Sequence, residues 1–244
     1  LYKIPLDDKK VFQMLSLGDS TGVFQLESTG IRKIMKRLKP DKFEDIVALL
    51  ALYRPGPLQS GMVDDFINRK NGKEKIEYPH KNLEIILKET YGVILYQEQV
   101  MKIASYMADY SLGEADLLRR AMGKKNFAIM RENREKFIER AVHNGYTIEK
   151  SEEIFELIDK FAGYGFNKSH SVAYAMISYW TAYFKVHYPA YYYAAVMTSE
   201  ISETGDIAYY FNDAKEHGVR IYSPNVNSPS AYFDVKNDGI TYSL

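Results

Sequence analysis

The sequence predicts a mostly α, multi-helix fold with a small α/β extension at its C-terminal end. Three observations carry that prediction. The eight prolines stand at Pro5, Pro40, Pro55, Pro57, Pro79, Pro189, Pro224 and Pro229, so residues 80–188 can hold long, uninterrupted helices. Apolar residues recur with helical period in most segments before residue 199. The strand and turn signals, Val219–Tyr222 and Tyr232–Val235, fall after it. Charge divides the chain at the same place: seven acidic and three basic residues from Ser199 onward give −4, leaving +4 for residues 1–198. The expected domains are therefore 1–198, helical, and 199–244, the start of a truncated α/β segment.

Taken in order, Ile31, Ile34, Met35 and Leu38 form one helical face, and Pro40 ends that helix. Asp41 with Glu44 reads as a capping box for the next helix, which carries Ile46, Val47, Leu50 and Tyr53 into Arg54-Pro55-Gly56-Pro57, where no helix should continue. A short helix near Leu83–Lys88 leads to Val93-Ile94-Leu95-Tyr96, a strand or a helical continuation. Gln97–Tyr110 reads as helix. Ser111 with Glu114 is a second capping box, opening a helix that Gly123 ends. Phe127–Val142 and Ser151–Phe161 are amphipathic, Gly163-Tyr164-Gly165 breaks the pattern, and an apolar helix runs from about Ser171 to His187. Pro189 starts another helix. Asn237-Asp238-Gly239 reads as the turn of a hairpin cut in its second strand, and the first residues, Leu1-Tyr2-Lys3, lack an initiator Met. Both ends suggest a piece of a longer protein.

Composition narrows the chemistry. The chain has 46% hydrophobic and 26% charged residues, with 32 basic side chains balancing 32 acidic ones, which is globular and not disordered. No cysteine is present, which removes thiolate catalysis, Cys-ligated zinc and disulfides and fits a reducing, cytoplasmic setting. The most apolar run, Ser171–Phe184, is 14 residues long, short of the roughly 20 that span a bilayer. His80, His143, His170, His187 and His217 show no metal-ligand spacing, and no pair of acids stands out as a two-metal site.

Three segments offer anion-binding chemistry. The helix at 29–39 carries Arg32, Lys33, Lys36, Arg37 and Lys39 off its apolar stripe, a face suited to nucleic-acid phosphates or simply to solvent. Residues 119–140 hold eight basic and three acidic residues, a local +5. Glu132, Glu135 and Glu139 can pair with the later arginines, whereas Arg119, Arg120, Lys124 and Lys125 have fewer local partners and are the better phosphate candidates. The third segment is Gly163-Tyr-Gly-Phe-Asn-Lys-Ser-His-Ser171. Its glycines admit close backbone approach, and Asn167, Lys168, Ser169 and His170 offer donors ahead of a long helix, with Tyr164 or Phe166 able to stack on a base. Taken alone, the residues read slightly better as a C-cap glycine followed by a polar N-cap turn. The GxxxxGK[ST] spacing of a phosphate-binding loop is absent.

Several long motifs in fixed order resemble one family. Gly22-Val-Phe-Gln-Leu-Glu-Ser28, Ala51-Leu-Tyr-Arg-Pro-Gly-Pro-Leu58, Tyr91-Gly-Val-Ile-Leu-Tyr-Gln-Glu-Gln-Val-Met101, Leu117-Leu-Arg-Arg-Ala-Met-Gly-Lys-Lys125 and Phe161–Ser171 are similar to the C-family bacterial replicative DNA polymerases, the polymerase III α subunits. Ala173-Tyr-Ala, Tyr179 and His187-Tyr-Pro189 continue the likeness, which spans essentially the whole chain and falls on the fingers domain. The resemblance implies DNA-directed DNA polymerase activity in the full-length protein. The Mg²⁺-holding aspartates would lie in a palm domain upstream of residue 1. No segment here matches that palm motif, so no catalytic or metal-binding residue is expected in this chain, and alone it should be inactive. The implied partners are dNTP, primer-template DNA, the sliding clamp and other replisome subunits, with no membrane.

The resemblance also distributes roles. Arg119, Arg120, Lys124, Lys168, Ser169 and His170 would face the triphosphate, and Tyr164 and Asn167 would border the nascent base pair. Arg32, Lys33, Lys36, Arg37 and Lys125 would approach template or duplex. Arg54 would be a further phosphate contact or a structural anchor. Two other readings remain at this stage: a stand-alone helical nucleic-acid-binding module, and an interaction scaffold whose basic face docks an acidic protein.

Overall fold

The computed structural model describes residues 1–124, 127–162, 164–202, 204–227, 231–237 and 239–242. Lys125, Gly163 and Asp238 lie outside the described residues, as does the side chain of Lys124. The helices are α1 (Lys9–Ser16), α2 (Thr29–Leu38), α3 (Phe43–Leu52), α4 (Pro55–Gln59), α5 (Met62–Lys70), α6 (Glu84–Leu87), α7 (Gln97–Ala108), α8 (Leu112–Lys124), α9 (Phe127–His143), α10 (Ile148–Ala162), α11 (Lys168–His187), α12 (Pro189–Ser199) and α13 (Thr204–Glu216). Three short strands follow, β1 (Arg220–Tyr222), β2 (Asp234–Lys236) and β3 (Gly239–Thr241). The mostly α fold with a small α/β end is thus what the chain adopts.

Compactness divides the chain into two units, one made of Leu1–Ile46 and Tyr174–Leu244, the other of Val47–Ala173. That partition follows contacts and is a separate matter from the 198/199 boundary, which stays a proposal about family domains. In the 47–173 unit, α7–α10 pack around Val100, Ile103, Met107, Leu118, Phe137, Phe155 and Ile158, all buried. Burial of such side chains stabilises by about 1.5–3 kcal/mol each before the chain-entropy cost is subtracted. Ser111 and Glu114 form the expected box at the start of α8. The Ser111 N–H donates to Glu114 Oε2 at 2.8 Å, and the Glu114 N–H donates to Ser111 Oγ at 3.3 Å.

In the other unit, Tyr192, Tyr193, Met197, Ile207, Phe233 and Ile240 form a core between α12, α13 and the sheet. The strand order is β1-β3-β2. The β2–β3 pair is antiparallel, with Val235 opposite Ile240, and β1 runs parallel to β3. The expected hairpin is present, with Asn237 in the left-handed region at φ 48°.

Arg54-Pro55-Gly56-Pro57 ends α3, as expected, and also begins α4, because Pro55 occupies its first turn, where no N–H is needed. Three local expectations are corrected. Asp45 takes the part assigned to Glu44 near α3: the Asp41 N–H donates to its Oδ2 at 3.0 Å. Val93–Tyr96 is neither strand nor helix but an extended segment with one isolated bridge, Tyr96 to Phe166. The apolar helix α11 begins at Lys168, three residues before Ser171, because Asn167 caps it: the His170 N–H donates to Asn167 Oδ1 at 2.7 Å. No helix among the described residues is long and apolar enough to cross a membrane.

Candidate functional site

Three motifs far apart in sequence converge within the 47–173 unit. Arg54, extended at φ −148° just before α4, turns its guanidinium back into the protein. Its Nε donates to Ala51 O and its Nη2 to Tyr164 O, both at 2.8 Å. The guanidinium carbon also lies 4.3 Å from the centre of the Phe166 ring. Of the two roles left open for Arg54, this geometry is that of an anchor. Gly56 lies against the Tyr164 ring so closely that a Cβ there would fall 2.2 Å from Cδ1. Tyr164 also borders a cleft of about 410 Å³ lined by Met62, Arg69, Tyr78, Ile94 and Phe161.

The first turn of α7 holds the same segment from the other side. The Gln97 N–H donates to Phe166 O at 2.9 Å, and Gln97 Nε2 donates to Gly165 O at 3.3 Å. Glu98 reaches the N-terminus of α11. Its carboxylate accepts from the Lys168 N–H at 3.1 and 3.0 Å and from Asn167 Nδ2 at 2.9 Å. A carboxylate near the free N–H groups of a long helix is favourable through the helix dipole. The anion expected at this helix end is thus, in the free protein, one of its own side chains. Gln99 is buried behind them, its Oε1 accepting from the Leu95 and Tyr96 N–H groups and its Nε2 donating to Thr90 Oγ1. This is a structural role that sequence reading left unassigned.

Lys168 stands at the front of the turn. Its Nζ bonds Glu89 Oε2 at 2.5 Å and lies 5.4 Å from the centre of the Tyr96 ring. Asn167, Ser169 and His170 are exposed beside it, with the His170 ring edge-on to Phe166 at 5.6 Å. The turn therefore presents Asn167, Lys168, Ser169 and His170 to solvent on a backbone fixed by Arg54, Gln97 and Glu98.

The basic residues of α8 and α9 are arranged differently from expectation. Arg119 and Arg120 both bond Asp116, at 2.7 Å, so they do not lack local partners. Among the described residues, Arg131 pairs along its own helix, with Glu135 at 3.5 Å. Arg134 reaches Glu152 of α10, while Lys136 and Arg140 both reach Glu114 of α8. Among the described residues, no bond joins Arg119 or Arg120 to the 164–170 segment. Arg120 remains two-thirds exposed and Arg119 about one-third.

On α2, in the other unit, Lys33, Lys36 and Arg37 are exposed, as a phosphate-facing helix requires. Arg32 departs from that picture. Its Nη2 donates to Thr21 Oγ1 and Tyr209 OH, each at 3.0 Å, and its Nε is buried. The reason is position: Arg32 follows the buried Ile31 and lies at the edge of the apolar stripe.

The same unit contains a charged cluster that the sequence did not reveal. The Lys185 side chain is fully buried, and its Nζ bonds Asp19 Oδ1 at 3.0 Å, Asp213 Oδ2 at 2.9 Å and Thr21 O at 3.2 Å. Tyr193 OH donates to Asp213, and His217 Nε2 bonds Asp19 Oδ2 at 2.7 Å. Burial would raise the Asp213 pKa, but bonds from Tyr193 and Lys185 outweigh it and hold the carboxyl below its usual range. Burial also pushes the Tyr193 hydroxyl up. Asp19, Asp213 and His217 are the one group of metal-ligand type that converges among the described residues. It does not fit Mg²⁺, which demands octahedral oxygen ligands, because one of the three groups is an imidazole and the Lys185 ammonium already bonds both carboxylates.

These features define a helical module with a hydrogen-bonded, cation-bearing turn and a basic helix. A family model described as "Bacterial DNA polymerase III alpha subunit finger domain" matches residues 1–145. The chain belongs to that family. It is 53% identical over 99% of its length to DNA polymerase III subunit alpha of Escherichia coli strain K12, and 56% identical over 99% to that of Buchnera aphidicola from Acyrthosiphon pisum. The Aquifex aeolicus subunit is 52% identical over 97% of the chain. The chain spans about a fifth of the length of these curated relatives.

Proposed function

We propose that this chain is the part of a bacterial replicative DNA-directed DNA polymerase that receives the triphosphate of the incoming dNTP and borders the template during nucleotidyl transfer. The observation that carries the reading is the 164–170 turn, which displays Asn167, Lys168, Ser169 and His170 on a backbone held by Arg54, Gln97 and Glu98. A preformed turn of this kind can hold phosphates with charge-assisted bonds and little reorganisation. Lys168 and His170 would bond the β- and γ-phosphates and offset charge on the departing pyrophosphate. Arg120 and Arg119, with Lys124, would extend the positive field from α8. Tyr164 and Asn167 would flank the base pair, and Arg54 would act by positioning the turn.

Lys33, Lys36 and Arg37 of α2 would contact the phosphates of primer-template DNA, with Lys125 a further candidate. Mg²⁺ belongs, in this reading, to carboxylates that are not in this chain, since its own converging acids are occupied by Lys185. The chain alone would bind and not polymerise. A cytoplasmic setting, the sliding clamp and other replisome subunits follow from the family reading.

Single-nucleotide incorporation by the full-length polymerase tests the assignment. Lys168→Ala should raise the dNTP KM about tenfold or more while primer-template affinity changes less than twofold. Lys33→Ala should do the reverse, weakening DNA binding and lowering its salt slope by about one. Unchanged nucleotide kinetics in Lys168→Ala would overturn the reading.

A further inference from the structure

We propose that Glu89 is an intramolecular competitor for the nucleotide's phosphates: its carboxylate holds the Lys168 ammonium in the free protein and yields it when a nucleoside triphosphate arrives. The inference rests on the preceding assignment of Lys168 and adds to it a residue that sets the affinity of the site.

Two carboxylates meet the Asn167–Lys168 turn, and the structure gives them different work. Glu98 uses both oxygens on groups that define the fold, the Lys168 N–H and the Asn167 amide. Glu89 bonds only the side-chain ammonium of Lys168, at 2.5 Å, and makes no other bond among the described residues. Its backbone is independently fixed, because the buried Thr90 next to it donates from Oγ1 to Val93 O at 2.6 Å and accepts there from Gln99 Nε2 at 2.8 Å. Losing the carboxylate therefore costs the turn nothing else.

The bond is also open to exchange. The two side chains are 33% and 36% exposed, so solvent and ligands reach both. A pair this exposed is weak, and breaking it opposes a ligand by a factor of a few. A triphosphate carries several negative charges and multiple acceptor oxygens, so it displaces a single carboxylate from an ammonium. The Tyr96 ring, 5.4 Å from Nζ, keeps the ammonium at the turn while its partner changes. Glu89 thereby masks the lysine from other anions and lowers nucleotide affinity by the strength of the pair.

The test is a double-mutant cycle in the full-length polymerase, read as the KM for dTTP opposite a template dA. Glu89→Gln should lower KM two- to fivefold with Lys168 present and leave it unchanged in the Lys168→Ala background. Glu89→Ala is the second variant, expected to shift KM in the same direction, and matching melting temperatures establish that each is folded. An unchanged or raised KM for both Glu89 variants, with Lys168→Ala itself impaired, would overturn the competitor role while leaving the nucleotide reading intact. Wild-type kinetics in Lys168→Ala alone would remove the reading and this inference together.

Discussion

Lys185 and Lys168 are both lysines bonded to carboxylates, yet burial gives them opposite uses. Lys185 has no exposed surface and sits between Asp19 and Asp213, so its charge is spent inside the fold. Removing one partner of a buried pair leaves the others uncompensated, which costs about 3–5 kcal/mol. Lys185→Met should therefore destabilise the protein by that order, measured by denaturant unfolding. The pairing was not legible in sequence, since Asp19, Lys185 and Asp213 lie far apart and Lys185 stands at the end of an apolar run. The partner of Arg119 and Arg120 was legible: Asp116 precedes them by three and four residues, the spacing at which helical side chains meet. A basic stretch taken to begin at residue 119 leaves that acid just outside it.

At the scale of elements, local signals read best. The Ser111–Glu114 box and the stop at Pro40 depend on residues a few positions apart, and both are present. Arg54-Pro55-Gly56-Pro57 ends α3 as its prolines predict, but the start of α4 within it was not legible, because a proline that stops one helix also suits the first turn of the next. Glu114 illustrates how one capping residue ties two helices together. It closes the start of α8 and bonds Lys136 and Arg140 of α9, and the bond from Lys136, then those from Ser111 and Arg140, hold its carboxyl far below the ordinary range. Because the folded pKa is depressed, the stabilisation is present above the unfolded value of about 4.3 and is lost as pH falls below it. Melting temperatures of Glu114→Gln and the parent should therefore differ at neutral pH and converge as the solution is acidified below about pH 4.

For the molecule as a whole, motifs whose order in sequence marks the family also meet in space, which no single motif revealed. Arg54, Gln97, Glu98 and Tyr164–His170 belong to three separate runs, and their hydrogen bonds bring them to one turn. Single-residue chemistry suggested cations at that turn. It could not show that the helix end is filled by Glu98 or that Lys168 is held by Glu89, because those partners lie about 70 and 79 residues away. In the proposed function, Lys168 contacts the incoming triphosphate. Lysine footprinting of the full-length polymerase tests it most directly, comparing amine acylation with and without matched dNTP on a primer-template that lacks a 3′-hydroxyl. Selective protection of Lys168 by dNTP, with Lys33 protected by DNA alone, is the expected result. Equal labelling of Lys168 in the presence and absence of dNTP would contradict it.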